Sequence, residues 1–176
     1  MLAVFELGSF RDVVIRLTQL LDTIRATQGA YYKLTILAGG AQSGKTTLLR
    51  QVAEQLGFPL INLSLLLSQQ LLNQSRRQRP LNAEAVALDV IDEHLKNGLC
   101  LDDTELLFDK TLKTNPLVFL QAISRNRHIV ATWNGGVSGG ELRYGHTGHP
   151  DYFSQPVSGY PVVSVAEDKL QLHLTT

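Results

Sequence analysis

Lys45 and Thr46 close the run Gly39-Gly40-Ala41-Gln42-Ser43-Gly44-Lys45-Thr46, which fits the pattern G-x-x-x-x-G-K-[ST]. Residues of these types at this spacing suit one kind of chemistry. Glycines let the backbone curl so that successive N–H groups face inward on an anion, and the following helix adds the partial positive charge of its N-terminus. The Lys45 ammonium would reach the outer phosphates of a nucleoside triphosphate, and the Thr46 hydroxyl would take one position on Mg²⁺. Thr47 completes a binding segment over 39–47. A glycine-rich turn that matches the pattern by chance would leave Lys45 without a purpose. The loop specifies binding and not turnover, so a nucleotide site without hydrolysis is the open alternative to an ATPase. The chain holds no N-K-x-D guanine-reading motif, so ATP is the expected nucleotide.

The second set of candidates is Leu99-Cys100-Leu101-Asp102-Asp103, an apolar run ending in acids, the arrangement called Walker B. Asp102 is expected to help hold the magnesium ion, usually through water, and Asp103 to orient or activate an attacking water. Glu105 is the alternative base. Related ATPases mostly carry Glu at the second position; Asp reaches about one methylene less far, which predicts slow hydrolysis or help from a partner. The competing reading of Asp102 and Asp103 is a helix cap ahead of 104–108, a role compatible with metal binding. Cys100 reads as a small buried hydrophobe. Farther on, Ala131-Thr132-Trp133-Asn134 resembles the sensor I element of AAA+ and related ATPases. Asn134 is the first choice to contact the γ-phosphate or the attacking water, with Thr132 in reserve. A turn-forming Asn before Gly135 is the competing reading.

These side chains need a frame. Apolar residues at helical spacing predict an amphipathic helix over 9–27 with Ser9 as its cap, then a strand over 33–38 and a helix over 45–56 that stops at Gly57. A strand over 58–63 and a Leu/Gln-rich helix follow. Asn82 is the expected cap of another helix through Val86, Val90, Ile91 and Leu95, ending at Gly98. Pro116 opens a helix over 117–124, and 128–133 reads as a strand closed by Asn134, Gly135 and Gly136. Residues 135–159 show no period and read as a long functional or mobile loop. Strands over 161–165 and 170–174 flank a turn at 166–169. The fold class expected from this alternation is α/β, a P-loop NTPase three-layer sandwich with a mostly parallel central sheet and helices on both faces.

A length of 176 residues with 44% hydrophobic and 18% charged side chains suits one packed domain and excludes a disordered chain. Its expected parts are an N-terminal amphipathic helix over 1–30, a nucleotide-binding core over 31–134, and the glycine-rich loop with the final strands over 135–176. Sixteen basic and sixteen acidic residues cancel, so no global field draws nucleic acid or anionic lipid, and DNA contact is expected to be weak or indirect. The single cysteine and the lack of a basic-plus-apolar leader at Met1 point to a reducing cytoplasm. No segment is apolar and long enough for a bilayer span.

Several clusters lie outside the motifs. Arg125 and Arg127 precede the sensor strand, at the end of the sheet opposite its own nucleotide, and so could act as arginine fingers only in trans; a solvated or subunit-contact role is favoured. Arg143 lies beyond the strand, on the nucleotide's side. His146 and His149 lack further ligands at zinc spacing, which leaves partner contact as the better reading of 142–152. Arg76, Arg77 and Arg79 read as a solvated basic loop.

Leu101-Asp102-Asp103-Thr104-Glu105-Leu106-Leu107-Phe108-Asp109, Asn115-Pro116-Leu117 and Ser124-Arg125-Asn126-Arg127-His128-Ile129-Val130-Ala131-Thr132-Trp133-Asn134-Gly135, taken in that order behind the phosphate loop, resemble the BrxF family. These are the small P-loop proteins of type 3 BREX bacteriophage-exclusion systems. The resemblance spans about residues 31–152, and its discriminating part is the Ser-Arg and Trp-Asn-Gly segment. It implies a bacterial defence component with an AAA-like ATP-binding core, working beside a DNA methyltransferase and larger effector proteins. It also implies a central P-loop strand with the Walker B and sensor strands beside it. Small ATPases of this kind often form homo-oligomeric rings, although no helical lid domain follows the core here. A small-molecule kinase is the remaining enzymatic alternative; it would need an acceptor pocket and an arginine-bearing lid.

Overall fold

The computed structural model describes residues 2–166 and 169–174, with side chains over 14–166 and 170–174. Within them the chain forms an α/β fold with one mixed, mostly parallel eight-stranded sheet and five α-helices. The strands are β1 (Leu34–Gly39), β2 (Leu60–Asn62), β3 (Leu99–Asp102), β4 (Ile129–Ser138), β5 (Glu141–Tyr144), β6 (Phe153–Pro156), β7 (Val162–Ala166) and β8 (Lys169–His173). The helices are α1 (Leu2–Ala26), α2 (Lys45–Leu56), α3 (Leu63–Leu71), α4 (Arg79–His94) and α5 (Pro116–Ser124).

The main sheet runs in the order β2-β3-β4-β1-β7-β8, parallel from β2 to β7, with β8 antiparallel at the edge. β1 therefore lies inside the sheet, but only β4 among the two expected neighbours touches it. β3, with the acids, is one strand farther out. The interior place goes to the strand whose residues Ile129 to Trp133 are all buried, while β2, three residues long, takes the edge.

Alternation along the strands sends side chains to two apolar clusters. Leu34, Ile36, Leu99, Leu101, Ile129 and Trp133 pack with residues of α3, α4 and α5. Leu37, Cys100, Val130, Val163 and Val165 pack with Leu20, Leu21 and Ile24 of α1 and with Leu49 and Val52 of α2. A sheet buried on both faces explains why its strands read as nearly unbroken apolar runs. Burial pushes the Cys100 thiol up to about 12, in keeping with a packing role. Among the described residues, no helix is long and apolar enough to cross a membrane.

Three local expectations change. The α1 backbone is helical from Leu2, so Ser9 lies inside the helix instead of capping it; its side chain is outside the described part. Asn82 likewise sits within α4, which starts at Arg79 with Pro80 in its first turn, and its amide donates to Gln74 Oε1 at 3.1 Å. The largest change concerns 135–159. β4 runs on to Ser138 and turns back through Gly139 and Gly140, whose φ angles of 61° and 77° suit a two-residue hairpin turn, into β5 and then β6. Beyond the turn, 145–152 and 157–159 are left without strand. Residues 167 and 168 of the expected last turn lie outside the described residues; the strands on either side pair at Ala166 and Lys169.

His128 fastens α1 to the sheet. Its Nε2 lies 3.0 Å from both Thr27 Oγ1 and Ile24 O at the end of α1, and its ring meets Phe58 edge-on at 5.3 Å. Burial is the main cause that lowers its pKa below 6.5. The folded protein thus keeps this ring neutral while the unfolded chain binds a proton first. The stabilisation is complete above about pH 6.5 and is lost as pH falls through the lower folded value. Urea denaturation between pH 7.5 and 5.5 is expected to show falling stability, with a shallower fall in His128→Asn. An equal slope in that variant would assign the effect elsewhere.

Candidate functional site

The carboxyl ends of the parallel strands meet along one edge. Register pairs Gly39 of β1 with Asn134 of β4, and Asn62 of β2 with Asp102 of β3. Groups far apart in the chain are thereby delivered to a single cleft, as expected for open α/β sheets.

The loop after β1 turns tightly into the next helix. Gln42 and Gly44 take left-handed conformations, φ 62° and 88°, and α2 begins directly afterwards at Lys45. Gly39 is required by space: a Cβ there would lie 2.5 Å from both Ser43 Oγ and the Val165 carbonyl oxygen. At Gly40 a Cβ would meet nothing within 4 Å, and nothing in the structure explains that glycine. Lys45 Nζ donates to the carbonyls of Gly39, at 2.8 Å, and Gly40, and lies 3.3 Å from Ser43 Oγ. Burial lowers its pKa, opposed by the carboxylates of Glu105 and Asp102.

Across from Lys45 stands a hydrogen-bonded acidic turn. Asp102 Oδ1 accepts from Thr46 Oγ1 at 3.2 Å, from Thr132 Oγ1 at 3.0 Å and from the Asp103 N–H at 3.0 Å. Its other carboxylate oxygen receives no hydrogen bond from the described residues. Asp103 sits at φ 48°, an uncommon conformation for a residue other than glycine. It is held there because its N–H also reaches Thr132 Oγ1 at 3.1 Å and its carbonyl accepts from the Ser64 N–H at 2.9 Å. Its carboxylate accepts from Asn62 Nδ2 at 3.3 Å and from the Glu105 N–H at 3.4 Å. Asn134 Nδ2 donates to Glu105 Oε1 at 3.0 Å.

The cleft between these walls measures about 320 Å³. Lys45, Thr46, Asp102, Asp103, Glu105 and Asn134 all line it, with Ala41 and Gln42 of the loop. The expected catalytic and metal-binding candidates are thus brought together, whereas Ser43, Gly44 and Thr47 face a different cavity. Two lining residues, Asn62 and Thr132, have parts the sequence did not reveal. Asn62 caps α3 through the Leu65 N–H at 2.8 Å while its amide steadies Asp103. Thr132, 4% exposed, ties Asp102 and Asp103 together and receives no explanation from strand packing alone. The legible signal for Asn62 was a polar residue closing an apolar strand.

The charge balance is informative. Three carboxylates and one ammonium line the cleft, so a polyanion there would meet net repulsion unless a cation accompanied it. Among the described residues no group of three or more His, Cys, Asp or Glu side chains is arranged to hold a metal. One carboxylate and a threonine hydroxyl fit magnesium, which keeps several waters and takes its remaining ligands from phosphates.

The arginines lie elsewhere. Arg127 pairs with Asp92 at 2.6 Å, and Arg125 stacks over the Tyr31 ring at 5.3 Å. Arg143 bonds Glu141 at 3.2 Å and does not line the cleft. The hairpin that carries Arg143 packs on the acidic turn instead: Tyr144 stacks on Phe108 at 3.8 Å, and Trp133 Nε1 donates to the Arg143 carbonyl at 2.9 Å. His146 and His149 are neighbours, 5.5 Å between ring centroids, without a third ligand among the described residues.

No protein-family model matches the sequence, and comparison with curated proteins and with solved structures finds no match.

Proposed function

We propose that this chain is a P-loop NTPase, a three-layer sandwich that binds ATP as its magnesium complex and hydrolyses it to ADP and phosphate. The observation that carries the reading is the meeting of Thr46 with Asp102, two motif residues 56 positions apart, at 3.2 Å beside the Lys45 ammonium. A magnesium ion held by Thr46 and, through water, by the free oxygen of Asp102 would neutralise the phosphates against the surrounding carboxylates. The inward N–H groups of 39–47 and the N-terminus of α2 bind the phosphate chain. Glu105, held by Asn134, and Asp103, held by Asn62, are the two groups able to orient a water and accept its proton.

The resemblance to BrxF supports a wider role, a motor or switch in a bacteriophage-defence complex with other BREX proteins, in homo-oligomeric form. A kinase is less well supported. A neighbouring pocket of about 630 Å³ shares Asp103 and Glu105 with the cleft, but Asp109 and Asp151 add further negative charge and, among the described residues, no lysine or arginine lines it. That wall would repel an anionic acceptor.

The test is equilibrium binding of ATP, ADP and GTP with and without Mg²⁺, with phosphate release and sizing of each complex. Expected are ATP binding that needs Mg²⁺, and measurable phosphate release without any acceptor. Folded protein that binds no Mg-nucleotide would remove the reading; binding without release would leave a nucleotide-gated interaction module.

A further inference from the structure

The phosphate loop has two sides, and among the described residues only one is acidic. On the other, α1, the start of α2 and strands β7 and β8 enclose a cavity of about 310 Å³, within the range of small-molecule sites. Ser43, Gly44 and Thr47 of the loop form one wall. Leu48, Val165 and Leu170 supply apolar surface, and Arg16 and Gln51 the polar groups. We infer that this cavity is the nucleoside half of the nucleotide site, built to hold a purine base against an apolar wall with Arg16 from α1 beside it.

The inference rests on the nucleotide reading above and deepens it. The metal-binding pair Thr46 and Asp102 fixes the terminal phosphates in the acidic cleft. A chain of phosphates laid across the N-terminus of α2 then runs past Gly44 and Thr47, and its nucleoside emerges on the opposite side. The chemistry on that side agrees. The acidic cleft offers a base little apolar wall, whereas the second cavity has the aliphatic side chains of Leu48, Val165, Ala166 and Leu170 and, among the described residues, no carboxylate in its lining. Arg16 is half-buried and forms no ion pair with the described residues; Gln51, also half-buried, makes no hydrogen bond with them. A planar guanidinium stacks on an aromatic face, and an amide can read the edge of a base. The α1 helix thereby becomes part of the site instead of a segment ahead of it.

Calorimetric titration with Mg-ATP and with magnesium tripolyphosphate, which carries the phosphates without a nucleoside, separates the two halves. The wild type is expected to bind ATP about 100-fold more tightly than tripolyphosphate. Arg16→Ala/Gln51→Ala is expected to weaken ATP about tenfold and to leave tripolyphosphate within about twofold, which also certifies an intact loop. If the double variant loses both ligands, the single Gln51→Ala carries the same comparison. ATP no tighter than tripolyphosphate in the wild type, or ATP affinity untouched by the substitutions, would overturn the nucleoside site while leaving the phosphate site standing. Wild-type protein that binds neither ligand would remove both.

Discussion

Replacing Lys45 with alanine is expected to weaken Mg-ATP binding by at least about 100-fold, on the order of 2.7 kcal/mol. Among the described residues, Lys45 is the only cation lining a cleft that holds Asp102, Asp103 and Glu105. Its removal both deletes charge-assisted hydrogen bonds to phosphate and leaves the carboxylate repulsion uncompensated. The fold is expected to survive. Nζ bonds only to the loop itself, at Gly39, Gly40 and Ser43, and the hydrophobic packing of α2 rests on Leu49, Val52 and Ala53. Binding titrated at several Mg²⁺ concentrations, beside a denaturation curve for each protein, checks both halves of the expectation. Equal ATP affinity in wild type and variant would show that the loop is not the phosphate site.

The second large effect concerns the acids: under the proposed hydrolysis, Glu105 is better placed than Asp103 to act on water. Both Asp103 carboxylate oxygens are engaged, by Asn62 and by the Glu105 N–H, in holding a backbone at φ 48°. Glu105 has one oxygen held by Asn134, and its charge acts on Lys45 more strongly than that of Asp102. Glu105→Gln is therefore expected to cut phosphate release about 100-fold while ATP still binds. Asp103→Asn should cost about tenfold, since asparagine tolerates the left-handed backbone and keeps one acceptor oxygen for the turn. Single-turnover phosphate release measured for both variants decides the order. The reverse ranking would return the role to Asp103.

The elements around the site differ in how readily the sequence disclosed them. Helix α2 was legible to the residue at both ends because its signals are local: Gly44 and Gly57 each take a left-handed φ, and the apolar period lies between them. Asp102 was legible as the polar end of a parallel strand; Asn134 was legible as the first polar residue after an apolar run, although β4 continues past it to Ser138. The β5–β6 hairpin was missed. The Gly139-Gly140 turn that leads from β4 into β5 was present in the sequence, but the glycine, histidine and proline content of 145–152, which joins β5 to β6, obscured two short strands. The partner that buries them, Phe108, comes from another part of the chain.

By itself the sequence determined the α/β class, the glycine-rich loop between a strand and a helix, and the strand that ends in acids, because each depends on propensities and caps acting over a few residues. Only the tertiary structure decided that β4 separates β1 from β3, that Asn62 and Thr132 hold the acidic turn, and that Arg16 lies beside the loop. Those outcomes depend on which buried surfaces pair across gaps of tens of residues, and no local pattern encodes that choice.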